Sequence, residues 1–569
     1  MVSATVGVHS GQPQWVPPLR LSTVNGSRAA TVVDHSGRPQ WSTTVVVATM
    51  THNFPFPHSM ESLSCSLKEA VTIGFGIFFA LYCFVYKLKR NGSKLKLPPG
   101  PRPWPVIGSL HLLGNLPHQA LAALAKKYGI IVFLRLGSVP TVVVSSPAMA
   151  KEFLKTHDLV FATRPNCAHG KHICYDHKDV AYGPFGAYWR HIRKLLMVEL
   201  LTVKRIDSFR FVREEEVSAM IASIWQESGR GERCVDVKKR LSSLTQNITC
   251  RMFSSRTYSD NELSGGLGFK QMVDEMFAVA GAFCVGDFIP YLDWLDLQGI
   301  RRRMQAVHKI FDAFAEKVID QHVRLRLYKG NPKEEGRVKD LVDVMLDMAE
   351  TEGQTISRVN IKAIIFDMLA AAIETSSTTV EWAMSELLRN PETLARAQKE
   401  IESAIGRERR VKESDVMSFD YLRCVVKETF RLHPPFPLLI PHESMEGCSV
   451  GGYFIPPKTR LFVNVWAMGR DENVWQDAHL FKPEWFMGSN KDVRGQNFDL
   501  LPFGTGRRGC PGISLGISVV ELALAQLLHC FDWTVEGEVD MAEEFGLTVP
   551  RNNPLFVRPS WKLTAEYPI

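Results

Sequence analysis

Apolar residues are spaced unevenly along the chain, and their spacing marks out elements before any composition is counted. The densest block is Ala70 to Tyr86 (AVTIGFGIFFALYCFVY), seventeen residues without a charge. That is the lower limit for a helix spanning a bilayer. Ile130 to Leu136 and Thr141 to Val144, joined across Gly137 and Pro140, predict a small hairpin. Tyr188-Trp189-Arg190-His191-Ile192-Arg193-Lys194 opens a basic helix, with Trp189 and Arg193 four apart on one face. Asn360 to Asn390 keeps a helical period until Pro391 stops it. Lys427 to Arg431 lies on another helix, which Pro434-Pro435 terminates. Finally, Pro511 opens the run Ile513, Leu515, Ile517, Val519, Val520 and Leu522, a buried helix with proline in its first turn.

Composition adds bounds. A chain of 569 residues, 45% apolar, can bury one very large core or two to three ordinary ones. The net charge of +7 is mild and makes no case for nucleic acid. It suits an anionic membrane face or an acidic protein partner, or is a slightly basic surface and nothing more. Eleven scattered cysteines argue against a disulfide scaffold and for a reducing compartment.

Residues 1–59 differ from the rest. They are rich in Ser, Thr, Val and Pro, carry one acidic residue, Asp34, and repeat themselves: HSGQPQW at His9 to Trp15 returns as HSGRPQW at His35 to Trp41. An organelle transit peptide fits that bias. The preferred reading is a disordered extension or an artefact of start-site choice, because Met60 stands just before the apolar block. Residues 60–96 then form a membrane anchor with the basic flank Lys87, Lys89, Arg90, Lys94 and Lys96. The positive-inside rule places that flank, and all that follows, in the cytosol. Residues 97–108, opening on Leu97-Pro98-Pro99-Gly100-Pro101, are a stiff hinge. The stretch 97–569 shows no convincing linker. Asn247-Ile248-Thr249 spells a glycosylation acceptor that a cytosolic domain does not use.

The chemistry concentrates in Phe503-Gly504-Thr505-Gly506-Arg507-Arg508-Gly509-Cys510-Pro511-Gly512. Its glycines supply turns and let the backbone approach a flat ligand. A cysteine at a helix start is favoured as thiolate by the dipole and free N–H groups. Arg508 offers a forked cation for a carboxylate of the same ligand. Thiolate ligand, carboxylate clamp and glycines together describe a haem site. The plainer reading of Cys510 alone is a buried free cysteine. Elsewhere, Glu374 and Thr375 set a carboxylate beside a hydroxyl in the apolar run Ala370 to Ile373, where Thr back-bonding is the ordinary explanation. Glu428 and Arg431 read as an i,i+3 surface pair.

These strings resemble the cytochrome P-450 family over roughly residues 97 to 565. Phe503, Gly506, Arg508, Cys510 and Gly512 fill every specified place of its haem loop F-x-x-G-x-R-x-C-x-G. Trp189 and Arg193 match its propionate-contacting W-x-x-x-R, and Glu428 with Arg431 its E-x-x-R. Glu374-Thr375 matches its oxygen-activation motif, with Ala372 in place of the usual glycine. His442 falls where the family often bonds a haem propionate; a solvated loop histidine is the alternative. Trp485, in Phe481-Lys482-Pro483-Glu484-Trp485-Phe486, replaces the arginine that normally joins E-x-x-R. Backbone carbonyls and water are left to serve Arg431, with the indole N–H as a donor to Glu428 or a carbonyl. The string DVRGQNFDLLPFGTGRRGCPG, Val380-Glu381-Trp382 and Phe545 to Thr548 look most like land-plant microsomal members.

The resemblance implies a mainly α fold, a single large helical domain with a small β region, preceded by the N-terminal anchor. It implies heme b (iron protoporphyrin IX) as cofactor, with Cys510 on the iron. The implied reaction is that of a monooxygenase hydroxylating or epoxidising a small lipophilic plant metabolite with O2. Glu374 and Thr375 relay protons, and an NADPH-cytochrome P-450 reductase in the endoplasmic reticulum membrane supplies electrons. A haem-thiolate isomerase or lyase, or a non-catalytic haem-binding protein, are the rival readings. The family reads substrate with stretches that align with Arg164 to Phe185, Phe277 to Ile289, Ala370 to Glu374, Phe436 to Ile440 and Leu547 to Pro550. Phe283, Phe436, Leu438, Leu439 and Ile440 make these largely apolar.

Overall fold

The computed structural model describes residues 21–24, 27–30, 96–258, 268–327, 338–351 and 356–564. The chain divides into two units, Met1–Asn91 and Gly92–Ile569. In the first, β1 (Leu21–Val24) and β2 (Ser27–Ala30) pair antiparallel, Leu21 opposite Ala30. Asn25-Gly26 separates them in the sequence, a strong two-residue hairpin signal. Apart from these eight, residues 1–59, expected as a disordered or misannotated extension, lie outside the described residues. The apolar run Ala70 to Tyr86 and its flank through Lys94 lie outside the described residues.

The second unit opens with α1 (Pro117–Tyr128), proline at its first position. Next come β3 (Ile131–Leu136) and β4 (Val139–Val144), antiparallel with Ile131 opposite Val144. The hairpin expected here takes in Pro140, which a strand tolerates near its start. Gly137 turns it at φ +58°, and a Cβ there would meet the Phe288 carbonyl oxygen at 2.3 Å.

Helices then dominate: α2 (Ala187–Leu195), α3 (Arg210–Glu227), and, after β5 (Val235–Asp236), α4 (Val237–Ser254). Asp236 caps α4, its carboxylate accepting the Lys239 N–H at 3.0 Å. There follow α5 (Phe269–Gly281), α6 (Ile300–Leu327), α7 (Leu341–Thr351), α8 (Arg358–Arg389), α9 (Pro391–Ile405) and α10 (Asp420–Leu432). Ser357 and Asn360 close a capping box at the start of α8, with the Ser357 N–H donating to Asn360 Oδ1 at 2.8 Å. Pro391, expected to stop α8, also opens α9.

Short strands come next: β6 (His442–Glu443), β7 (Cys448–Val450), β8 (Tyr453–Ile455) and β9 (Arg460–Val463). The apolar helix α11 (Ile513–Cys530) precedes β10 (Phe531–Thr534) and β11 (Phe556–Trp561). The strands form the sheets β3-β4-β9-β6 and β10-β11-β5 and the hairpin β7-β8. β4 and β9 run parallel. Mainly helical with a small β region is therefore the observed architecture.

The core sits along α8, which packs on α4, α10 and α11. Ile361, Ile365, Phe366, Leu369, Val380, Trp382 and Leu387 are buried on it, so its apolar surface runs nearly all round. Leu522, Ala523, Leu524, Leu527 and Leu528 do the same for α11. Two apolar helices thus frame the segments that carry the chemistry.

One tie across this unit has a pH signature. Glu543 takes hydrogen bonds from His118 on α1 at 2.8 Å, Gln119 at 2.7 Å and the Trp466 indole at 3.0 Å. Burial pushes its carboxyl up, but these bonds outweigh burial and hold it at about 2. A depressed carboxyl stabilises the fold above its ordinary value of 4.5, and that contribution fades as pH falls toward about 2. Its size is about 3 kcal/mol. Glu543→Gln should lower Tm at pH 7, and the gap to the parent should shrink by pH 3. A gap independent of pH would remove the electrostatic account.

Candidate active site

The glycine-rich loop is a closed turn. Gly504 and Gly506 adopt φ of +65° and +68°, conformations that side chains resist. The Cys510 N–H donates to the Phe503 carbonyl at 2.9 Å and the Gly509 N–H to that of Gly506 at 3.1 Å. Phe503 packs edge-on against Phe430 of α10, centroids 5.0 Å apart. Helix α11 begins at Ile513, not at Pro511, because Pro511-Gly512 is spent on the turn. Cys510 therefore precedes the helix, and what reaches its Sγ is the Gly512 N–H at 3.3 Å. Burial pushes the Cys510 thiol up, against the pull of that N–H and of Arg193. Of the dipole and free N–H groups expected to favour the thiolate, one N–H reaches Sγ, and burial opposes it.

One cavity gathers most of the expected residues. Arg193, Thr375, His442, Phe503, Arg508, Cys510 and Gly512 line it, whereas Trp189, Glu374, Glu428, Arg431 and Gly506 do not. Among the described residues Arg508 meets no carboxylate: it donates to the carbonyls of Ala162 at 2.6 Å, Gly183 at 2.6 Å and Val180 at 3.3 Å. Arg193 donates to the Gly509 carbonyl. Arg164, a third cation on the cavity, donates to Ala181 at 3.1 Å, Ile440 at 2.6 Å and Pro441 at 3.0 Å. Burial, then mutual repulsion with Arg164 and Arg193, pulls Arg508 down to about 8. Burial likewise pulls Arg164 down to about 10. Asp179 offers both some counter-charge, but burial pushes its own carboxyl up to about 6.

Trp189 was expected to share an acidic group with Arg193. Its N–H is already given to the Val180 carbonyl at 2.9 Å, so it holds the cations by its ring instead. The Arg508 guanidinium lies 3.9 Å from the ring centroid and that of Arg193 5.5 Å. His442 is buried on β6, its Nδ1 2.8 Å from the Phe161 carbonyl, which overturns the solvated-loop reading.

On α8 the acid and alcohol part company. Thr375 lines the cavity and donates back to Ala371 at 2.6 Å, the ordinary bond for a helical threonine. Glu374 lies off the cavity, near Thr548, with Oε2 buried and without a hydrogen bond among the described residues. Burial pushes its carboxyl up.

Glu428 and Arg431 are not a surface pair; both side chains are fully buried on α10. Two bonds of 2.6 Å join them. Arg431 also donates to the carbonyls of Gly469, Ala478 and Leu480, and Glu428 accepts the Lys482 N–H at 2.6 Å. Backbone groups thus replace the missing arginine, as expected. The indole N–H does not: Trp485 Nε1 is buried without a partner, its ring edge-on to Trp475 at 6.5 Å. Trp485→Arg would bury a new cation against the Trp475 ring and Lys482, while Glu428 already accepts three N–H groups. It should cost about 1–3 kcal/mol and lower Tm. A higher Tm would show that the pocket still prefers the arginine.

Arg164 and Thr548 fall in stretches aligned with substrate reading, but the cation's place on the cavity wall and the threonine's beside Glu374 are not legible in the sequence. Of the stretches aligned with substrate reading, Phe277 to Ile289 does not line this cavity. Phe283 is 41% exposed and stacks on Phe288 at 4.9 Å.

Comparison with known proteins follows the same lines. The family model described as cytochrome P-450 matches residues 98–557. Cytochrome P-450 750A1 of Pinus taeda is 49% identical over 507 residues, 87% of this chain and 96% of its own. Flavonoid 3'-monooxygenase of Petunia hybrida is 42% identical, covering 89% of this chain and 99% of its own. Premnaspirodiene oxygenase of Hyoscyamus muticus is 42% identical, covering 84% and 96%. A zebra fish cytochrome P-450 structure with abiraterone superposes with TM-score 0.63 at 25% identity, over 78% of this chain and all of its own.

Proposed function

The chain belongs to the cytochrome P-450 family, and on that premise we propose how its residues divide the work. It is a cytochrome P-450 monooxygenase whose cofactor is heme b. The carrying observation is that three guanidiniums, two buried and that of Arg193 partly so, border the same cavity as Cys510, none within ion-pair distance of a carboxylate among the described residues. That donor set fits a flat ring bearing carboxylates on its edge and an iron at its centre. Cys510 would ligate the iron, and Arg193, Arg508 and His442 would hold the propionates. Trp189 would position both arginines, with Phe503, Gly506 and Gly512 shaping the loop. Heme b bound there supplies the activation of O2 that puts one oxygen atom into the substrate and releases the other as water.

The chain's own part is positioning and proton supply. Thr375 presents its hydroxyl at the cavity wall. Glu374, whose carboxyl burial pushes up, holds a proton off the cavity, and bound water would have to carry it to Thr375 Oγ1. Phe366, Met368, Phe436, Leu439, Ile440 and Leu547 make the substrate wall apolar, which supports a small lipophilic metabolite. Electrons come from NADPH through a membrane reductase, residues 60–96 anchoring the enzyme in the endoplasmic reticulum with its catalytic domain cytosolic.

A reduced-CO difference spectrum of microsomes, then NADPH-dependent turnover of terpenoids, phenolics and fatty acids, tests this. No thiolate band would end the site assignment; a band without NADPH-dependent product would favour the isomerase or lyase. Thr375→Ala should keep the band and consume NADPH, yet form about 100-fold less product. Unchanged product per NADPH would free Thr375 of the relay.

A further inference from the structure

Most polar side chains on the cavity already have partners in the protein. Thr245 donates to Leu241 at 3.0 Å, Thr249 to Thr245 at 2.7 Å and Thr379 to Thr375 at 2.8 Å, each one turn back. Asp367 accepts the Val180 N–H at 2.7 Å. His169 differs. It stands on the short helix Ala168–His172, lines the cavity and is only 8% exposed. Its Nδ1 is buried without a partner, and no hydrogen bond reaches the ring among the described residues. Its neighbours are rings: Tyr182 at 4.7 Å and Phe366 at 6.2 Å, centroid to centroid.

A buried polar group is ordinarily hydrogen-bonded, and leaving one unpaired is unfavourable. Burial, with His177 nearby, pulls His169 down to about 4, so the ring is neutral at physiological pH. A neutral imidazole carries one donor and one acceptor. Nδ1 is closed off by protein, so the nitrogen open to a ligand in the cavity is Nε2, and a hydroxyl can satisfy it in either tautomer since it both donates and accepts. The surrounding rings favour a flat apolar body next to that hydroxyl.

Resting on the monooxygenase reading above, we propose that His169 is a specificity-determining residue that hydrogen-bonds a hydroxyl of the substrate. The substrate class is then an apolar skeleton already bearing a hydroxyl, a phenol above all, in preference to a bare hydrocarbon. The reaction that supplies it must itself install or retain an oxygen function.

The test uses the full-length, haem-loaded protein and two probes of equal skeleton, 4-phenylphenol and biphenyl, titrated by the shift of the haem absorption. The parent should bind the phenol about tenfold more tightly, the worth of one hydrogen bond to a buried partner. His169→Phe keeps a ring beside Tyr182 and Phe366 but no hydrogen-bonding atom. It should abolish the preference while leaving biphenyl affinity unchanged, and His169→Gln should restore part of it. No preference in the parent, or a loss in His169→Phe equal for both probes, would overturn the assignment. The CO spectrum is recorded for every sample. A thiolate band with an unaltered preference defeats His169 alone, whereas its absence from the parent defeats the underlying site as well.

Discussion

Cys510→Ser should give a folded protein whose reduced-CO spectrum lacks the thiolate band and whose product formation falls to background. Folding should survive because the loop is closed by main-chain bonds, Cys510 N–H to Phe503 and Gly509 N–H to Gly506, which the substitution leaves alone. The change is confined to one atom on the cavity wall. A serine oxygen stays protonated where a cysteine sulfur can ionise, and iron held by a thiolate is what favours O–O cleavage. The Gly512 N–H that now reaches Sγ at 3.3 Å would bond a hydroxyl equally well, so little strain follows. A surviving thiolate band would mean that another sulfur reaches the iron.

Arg431→Ala should be the most damaging change away from the cavity. It strands the Glu428 carboxylate in a fully buried site and removes the donor from the Gly469, Ala478 and Leu480 carbonyls at one stroke. Breaking one side of a buried ion pair costs about 3–5 kcal/mol. Whole-domain stability is typically about 5–15 kcal/mol, so a third or more of it is at stake. The variant should melt much earlier and retain little haem. Glu428→Gln, which keeps the shape and still accepts hydrogen bonds, should be milder. Equal melting of Arg431→Ala and the parent would show that the carbonyls bind water as readily as a guanidinium.

What could be read in advance divides by range. The helix expected over Asn360 to Asn390 forms as Arg358–Arg389, because apolar spacing, a capping serine and a following proline are all local signals. Cys510, Arg508 and Arg193 meet on one cavity as their motifs imply. The start of α11 was misplaced because Pro511-Gly512 suits a helix start and a turn equally. Trp189 was given an acidic partner, yet its N–H goes to Val180, a choice that depends on the path of a loop. Arg164 and His169 were not legible as individual site residues at all. Arg164 is defined by carbonyls at Ile440 and Pro441, far along the chain, and His169 by the bonds it does not make. Pattern shows the frame; long-range contacts decide what each polar atom is left to do.

Arg164, Arg193 and Arg508 also bear on biogenesis. A nascent polypeptide must bring these cations together in its interior, where like charges oppose collapse, beside a carboxyl, Asp179, that burial itself weakens as an acid. If these arginines hold the cofactor's carboxylates as proposed, those two anionic arms would relieve that opposition on arrival, and binding to the folded chain alone would pull the equilibrium toward it by mass action. Haem supply would then act as a chaperone acts, on how much enzyme accumulates. In a starved cell the same transcript would yield chains that are triaged by proteolysis before they ever turn over. Abundance, more than specific activity, would become the quantity that tracks porphyrin metabolism.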